Sequence, residues 1–157
     1  MSSPLNESYL LQMSEQLHDQ QWLCFQIEDE TYAHPVNQVR EILDYLAPVP
    51  VPGAQSCVEG VLNVRGEIVT IVSSKELLGL NQSARDSEHI IVLETSSGLV
   101  GITVDEVEKI SVLADDDMMP VERSHDSSPV KGTINHDNQL LILTDFERCI
   151  NELENYE

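Results

Sequence analysis

Apolar positions in this chain fall into short runs, with polar or turn-forming residues between them. Leu23, Phe25 and Ile27 alternate with Cys24, Gln26 and Glu28, Asp29-Glu30 interrupts, and Thr31-Tyr32-Ala33 resumes, which is the pattern of a hairpin. Residues 58–64 and 67–72 are β-rich around Arg65-Gly66, and 89–95 and 99–104 flank the turn composition Ser96-Ser97-Gly98. Residues 107–113 continue the theme, and 130–134 and 139–144 bracket Asn135-His136-Asp137-Asn138. Helices are few. Ser73-x-x-Glu76 has the spacing of a capping box before Leu77-Leu78-Gly79, and Thr144-x-x-Glu147 can cap a last helix burying Phe146, Ile150 and Leu153.

The remaining segments read as connections. Residues 1–21 form a polar leader, helical or disordered, in which Leu10, Met13 and Leu17 keep helical spacing. Pro48, Pro50, Pro52 and Gly53 mark a loop, because proline lacks the amide donor that a strand or helix needs. Residues 81–87 are polar, a boundary between halves, and 114–128, with Asp115-Asp116-Asp117, is expected to be an exposed loop. Residues 151–157 form an acidic tail.

The second half repeats the first. At an offset of 72 residues, Val58, Gly60, Asn63, Ile68, Val69 and Ile71 recur as Val130, Gly132, Asn135, Leu140, Leu141 and Leu143. At an offset of 68, residues 36–42 align with 104–110, and Leu23-Cys24-Phe25 with Ile91-Val92-Leu93. The repeat decides one ambiguous stretch. Val36, Val39, Leu43 and Leu46 fit helical spacing, yet their counterparts follow directly from a strand-like run, so extended structure is expected. Each copy has about five short strands and one terminal helix, suited to a small closed barrel. Two such units, at about 22–85 and 86–150, would each be marginal alone, so an apolar seam between them and cooperative folding are expected.

Composition narrows the function. Lys plus Arg number 8 against 28 Asp plus Glu, a net charge of −20 that repels phosphate backbones and anionic headgroups, so nucleic acid and membrane surfaces are poor partners. No apolar run approaches the ~20 residues of a membrane span, and the N-terminus lacks the features of a secretory signal. Cys24, Cys57 and Cys149 are scattered and never in a C-x-x-C pair, as in a reduced cytoplasmic protein. No G-x-S-x-G, H-E-x-x-H or glycine-rich phosphate loop is present, so no enzyme, cofactor or metal is expected. The Asp115–117 triplet with His125 lacks the alternating spacing of a calcium loop and reads as solvated.

The stretches FQIEDETYAHPVNQVREI, PVPG…VEGVLNVRGEIVTIV, GLVGITVDEVEKI and VKGTINHDNQLLILTDFE, in this order, resemble the CheW family of chemotaxis coupling proteins over residues 22–150. The resemblance implies a mainly β fold of two packed five-stranded SH3-like barrels with short helices. It also implies a non-catalytic adaptor that bridges the cytoplasmic tips of methyl-accepting chemoreceptors to the regulatory domain of the histidine kinase CheA, in membrane-associated arrays, with ring or array assembly open to it. By motif, the receptor-facing groove comprises Val39, Glu41, Arg65, Val107 and Ile110. A helical receptor tip in a shallow apolar groove with a charged rim is a sound arrangement.

Bland readings stand beside these. Val39, Val107 and Ile110 read equally as core residues, and Arg65 as half of an ion pair that holds its turn, contributing roughly 0–1 kcal/mol if exposed. The chain also departs from the family where Thr70-Ile71-Val72-Ser73-Ser74 replaces a proline and a Val-Asp-Leu sequence, which puts the kinase contact in question. A coupler of a twitching-motility or other chemosensory pathway, or a stand-alone peptide-binding barrel module, is the alternative.

Overall fold

The computed structural model describes residues 19–80, 86–121 and 128–154. It contains β1 (Asp19–Ile27), β2 (Glu30–Pro35), a 3-10 turn (Val36–Gln38), β3 (Val39–Asp44), β4 (Val58–Val64), β5 (Glu67–Ser73) and helix α1 (Ser74–Leu77). The second half supplies β6 (His89–Thr95), β7 (Gly98–Val104), β8 (Glu106–Ala114), a 3-10 turn (Asp115–Asp117), β9 (Met119–Pro120), β10 (Val130–His136), β11 (Gln139–Thr144) and helix α2 (Phe146–Glu154). The mainly β fold expected from the sequence is present, as one six-stranded and one five-stranded sheet; of the stretch 36–42 expected to be extended, 39–42 lies in β3, whereas Val36–Gln38 forms a 3-10 turn as the chain leaves β2. The helical spacing of Leu10, Met13 and Leu17 lies outside the described residues, as do 81–85 and 122–127.

One sheet has the order β8-β1-β2-β11-β10-β9, the other β3-β6-β7-β5-β4. Substituting repeat partners (β1 for β6, β2 for β7, β8 for β3, β11 for β5, β10 for β4) converts the second order into the first five strands of the other. Even the parallel pairs correspond, β2 with β11 and β7 with β5. The sequence copies and the sheets nevertheless do not coincide. The first two strands of each copy are completed by the remaining strands of the other, so neither sheet is built from one contiguous half. Periodicity reports which face of a strand is buried and carries no information about which neighbour buries it.

The chain therefore passes between sheets twice: at the 3-10 turn between β2 and β3, and at Asp105, a single residue between β7 and β8. Where the sheets face each other, Leu23, Phe25, Ile27 and Tyr32 meet Val72, Ile91, Leu93, Val100, Ile102 and Val104, with Phe146 and Ile150 of α2 closing the cluster. This cluster is an apolar seam between two sheets that each draw on both halves of the chain. Alternate residues turn the other way: Trp22 and Cys24 join Ala33, Leu113, Ile134, Leu141 and Leu143 in one core, and Ile90 and Val92 join Val69 and Ile71 in the other. Strands buried on both faces read as unbroken apolar runs such as Ile90-Ile91-Val92-Leu93.

Local signals account for the ends and turns, with corrections. Ser73 accepts from Glu76 N and caps α1, while its own amide goes to Cys57 O at 2.7 Å, so only half of the capping box forms. Thr144 does not cap α2. Its hydroxyl donates to Ala33 O at 2.8 Å, tying β11 to β2, and Asp145 Oδ1 accepts from Glu147 N instead. α2 runs to Glu154, into the segment read as a tail, and β1 begins at Asp19, inside the expected leader; the Leu153 side chain is outside the described residues. Of the 114–128 segment, the described residues include the short strand β9 paired with β10. The repeated glycines are explained by close approach: a Cβ on Gly60 would lie 2.2 Å from Val49 O, and one on Gly132 would lie 2.5 Å from Met119 O.

His34 faces the seam, 1% exposed, with its ring stacked on Phe146 at 5.6 Å and Nε2 donating to Gln38 Oε1 at 2.7 Å. Burial pushes its pKa down to about 4, against weaker upward pulls from Gln38 and Asp145. The folded ring stays neutral where the unfolded one takes up a proton, so this stabilisation is complete above about pH 6.5 and is lost as pH falls towards 4. The loss amounts to about 3 kcal/mol. Chemical denaturation between pH 7 and 4 should show a shallower fall for His34→Phe than for the wild type; parallel curves would remove His34 as the source.

Candidate functional site

Arg65 and Gly66 are the two central residues of the β4–β5 hairpin, both with positive φ (53° and 86°), between the paired Val64 and Glu67. Such a turn favours Asn-Gly or Gly-Gly, and a non-glycine residue in the left-handed region costs about 1–2 kcal/mol. Asn63 compensates in part, its Oδ1 accepting from Gly66 N at 2.9 Å. The turn holds the Arg65 side chain 79% exposed, with Nη1 2.9 Å from Glu41 Oε2. An ion pair this open contributes at most about 1 kcal/mol and does not explain an arginine in a strained position.

Sequence reasoning missed the second half of this rim. Arg40 donates to both Glu67 oxygens, at 3.1 and 2.9 Å, and lies 3.5 Å from Glu94. Strand alternation would send adjacent Arg40 and Glu41 to opposite faces, but the pairing of β3 with β6 slips between Val39 and Glu41, and both residues reach the same hairpin. The clue available in the sequence was Glu67 directly after the Arg65-Gly66 turn. Arg40, Glu41, Arg65 and Glu67 thus ring a shallow depression floored by Val64, Val69, Val92 and Leu99.

Of the other expected site residues, Val39 pairs with Leu93 and Val107 with Phe25, and both are half-buried against the seam cluster. They occupy equivalent positions in the repeat. Ile110 pairs with Leu23 yet is 55% exposed, so it is not a core residue; Val112 on the same strand is equally open. Glu41 and Arg65 are joined directly, and Val39 and Val107 both pack on the seam cluster. In Thr70-Ile71-Val72-Ser73-Ser74, the departure from the family pattern, Ile71 and Val72 are buried, Ser73 caps α1, and Ser74 N donates to Thr103 Oγ1 at 3.4 Å, while the buried Ser74 hydroxyl has no hydrogen-bond partner among the described residues. Among the described residues no cluster of His, Cys, Asp or Glu could hold a metal ion, and no helix is long and apolar enough to cross a membrane. His125 lies outside the described residues.

Two interlocked sheets thus present a charged rim at the Arg65 hairpin and half-buried Val39 and Val107 at the seam. The CheW-like domain model matches residues 21–154, and the chain belongs to that family. It is 27% identical to chemotaxis protein CheW of Thermotoga maritima over 142 residues, covering 90% of this chain and 94% of that protein. It is 26% identical to chemotaxis protein CheW of Rhizobium meliloti, covering 80% and 83%. Protein PilI of Pseudomonas aeruginosa is 31% identical over 91 residues, 56% of this chain and 51% of that protein. The fold matches the crystal structure of the scaffolding protein TtCheW from Thermoanaerobacter tengcongensis, with a TM-score of 0.72 and 21% identity, over 81% of this chain and 89% of that one.

Replacing Arg65 by Asn should relieve the turn without harming the fold. Arg65→Asn is expected to melt at or above the wild-type temperature, a gain of up to about 1 kcal/mol. A drop in melting temperature would show that the ion pair with Glu41 holds the turn.

Proposed function

We propose that this chain is a non-catalytic adaptor that couples the cytoplasmic tips of methyl-accepting chemoreceptors to the regulatory domain of a CheA-type histidine kinase. It acts in the cytoplasm, at membrane-associated arrays, and it is able to join rings or arrays of the same components. The observation that carries this reading is Arg65: exposed, conformationally strained, and held by Glu41 beside the half-buried Val39. A residue in an unfavourable conformation with little stabilising work to do is best explained by a contact outside the molecule. Membership of the CheW family supplies the class of partner. Val39, Glu41 and Arg65 from one sheet, with Val107 and Ile110 from the other, form the receptor-facing surface, in which apolar anchors give affinity and the charged rim sets orientation.

A second reading is a coupler of a twitching-motility or other chemosensory pathway, kept open by the likeness to PilI, which does not carry the name CheW. It keeps the same geometry and changes the receptors and kinase. Both readings require two partners, whereas a stand-alone peptide-binding barrel requires one.

Surface binding of the purified protein to a CheA regulatory domain and to a receptor-tip fragment, separately and then together, tests the adaptor. Binding to both supports it; binding to neither, across cognate sets from both kinds of pathway, overturns it. Within a binding pair, Ile110→Asp and Arg65→Glu should each weaken the receptor fragment by about tenfold or more with melting unchanged. Unaltered affinity in folded variants would remove those residues from the surface.

A further inference from the structure

The chain leaves one sheet at Val104 and enters the other at Glu106, so Asp105 alone makes the crossing. It is 6% exposed and is held through its amide and both carboxylate oxygens. Its amide donates to Gln26 O at 3.0 Å, its Oδ2 accepts from Glu28 N at 2.7 Å, and its Oδ1 lies 2.9 Å from Lys75 Nζ. Lys75 is 9% exposed and reaches Glu28 Oε1 at 3.4 Å as well. The lysine belongs to α1, directly after β5, whose Ser73 pairs with Thr103 of β7. An element of one sheet thus grips both the crossing residue and the β1–β2 turn of the other.

We propose that Lys75 is a positioning residue for β8: by holding Asp105 it sets the register in which β8 lies on β1, and so the faces on which Val107 and Ile110 stand. The inference rests on the reading of these two residues as part of the receptor-facing surface. Val107 pairs with Phe25 only two residues after the crossing, and the register slips at once, with Cys24 opposite Lys109. Gln26 Nε2 donates to Glu108 Oε1, the residue passed over, at 2.7 Å. In a strand, a shift of one residue at the start moves every following side chain to the other face. Ile110 would then leave the exposed seam-side position it holds opposite Leu23. The other crossing makes the contrast within the molecule. There the position of Asp105 is taken by Asn37, which is exposed, and the chain uses a three-residue 3-10 turn in place of a one-residue corner.

The test uses the full chain with both charges removed together, Lys75→Met with Asp105→Asn, so that no buried charge is left without its partner. Amide exchange across residues 106–110 should accelerate by about tenfold, with β3 amides within about twofold of the wild type. Affinity for the receptor-tip fragment should fall by about fivefold or more, and affinity for the kinase regulatory domain should stay within about twofold. Lys75→Arg, which keeps charge and donors, should restore both readouts. A folded double variant with wild-type β8 exchange, or with faster exchange and undiminished receptor affinity, overturns the proposal. So does acceleration spread evenly over both sheets, which would make the cluster a general support. Ile110→Asp is measured alongside: if it abolishes receptor binding while the double variant does not, positioning fails and the surface stands; if it has no effect, the surface reading fails and the role of Lys75 in binding falls with it. Should the double variant not fold, Glu28→Gln, which removes the more exposed of the two carboxylates, is expected to move exchange and affinity in the same direction by about twofold, and no change in either overturns the proposal.

Discussion

Burial of Phe25, Leu93, Ile102 and Phe146 against one another is the interaction on which the rest of the molecule depends, because no single sheet or sequence copy can make it alone. Each of these side chains contributes on the order of 1.5–3 kcal/mol when fully buried, and the cost of ordering the chain is of similar size. The strands that carry them also line the separate cores on their opposite faces. Separating the sheets would strip apolar cover from β1, β6 and β7 at once and break both crossings. Stability, on this view, is a property of the interlocked pair.

Charge works against that compactness. With a net charge of −20 the chain repels itself, and four of its eight cations stand at points where the geometry is decided. Lys75 sits at the Asp105 crossing, Arg40 clasps Glu67 and Glu94, Arg65 meets Glu41, and Lys131 lies 6.0 Å from the centre of the Trp22 ring. The pairs differ in kind. The Lys75–Asp105 pair is shielded from water, so losing one member would leave a buried charge, at a cost of about 3–5 kcal/mol. The Arg65–Glu41 pair is open and holds a side chain ready at little energetic gain.

The proposed function follows from where these features meet. The crossings at residues 36–38 and at Asp105 lead directly into β3 and β8, the strands that carry Val39, Glu41, Val107 and Ile110. A surface placed just after a crossing inherits the rigidity of the seam, yet its side chains remain partly open at the sheet edges. That combination suits a partner of fixed shape, such as a helical hairpin, bound with modest affinity and defined orientation.

Much of this was legible in the residues themselves. Alternation and turn chemistry place the hairpins, Ser73 and Glu76 start a helix, and matching glycines and asparagines reveal the repeat, because these signals depend on neighbours close in sequence. Tertiary structure decided what local signals cannot carry. It decided which strand lies beside which, so that each sheet is shared between copies, and it assigned Thr144 to Ala33 and left the cap of α2 to Asp145. The slip between Val39 and Glu41 brought Arg40 onto the rim, and Lys75 was brought to Asp105 across a sequence separation that no spacing rule spans. Side-chain patterning specifies which faces seek burial, while partner choice and register are settled only when distant strands compete for the same seam.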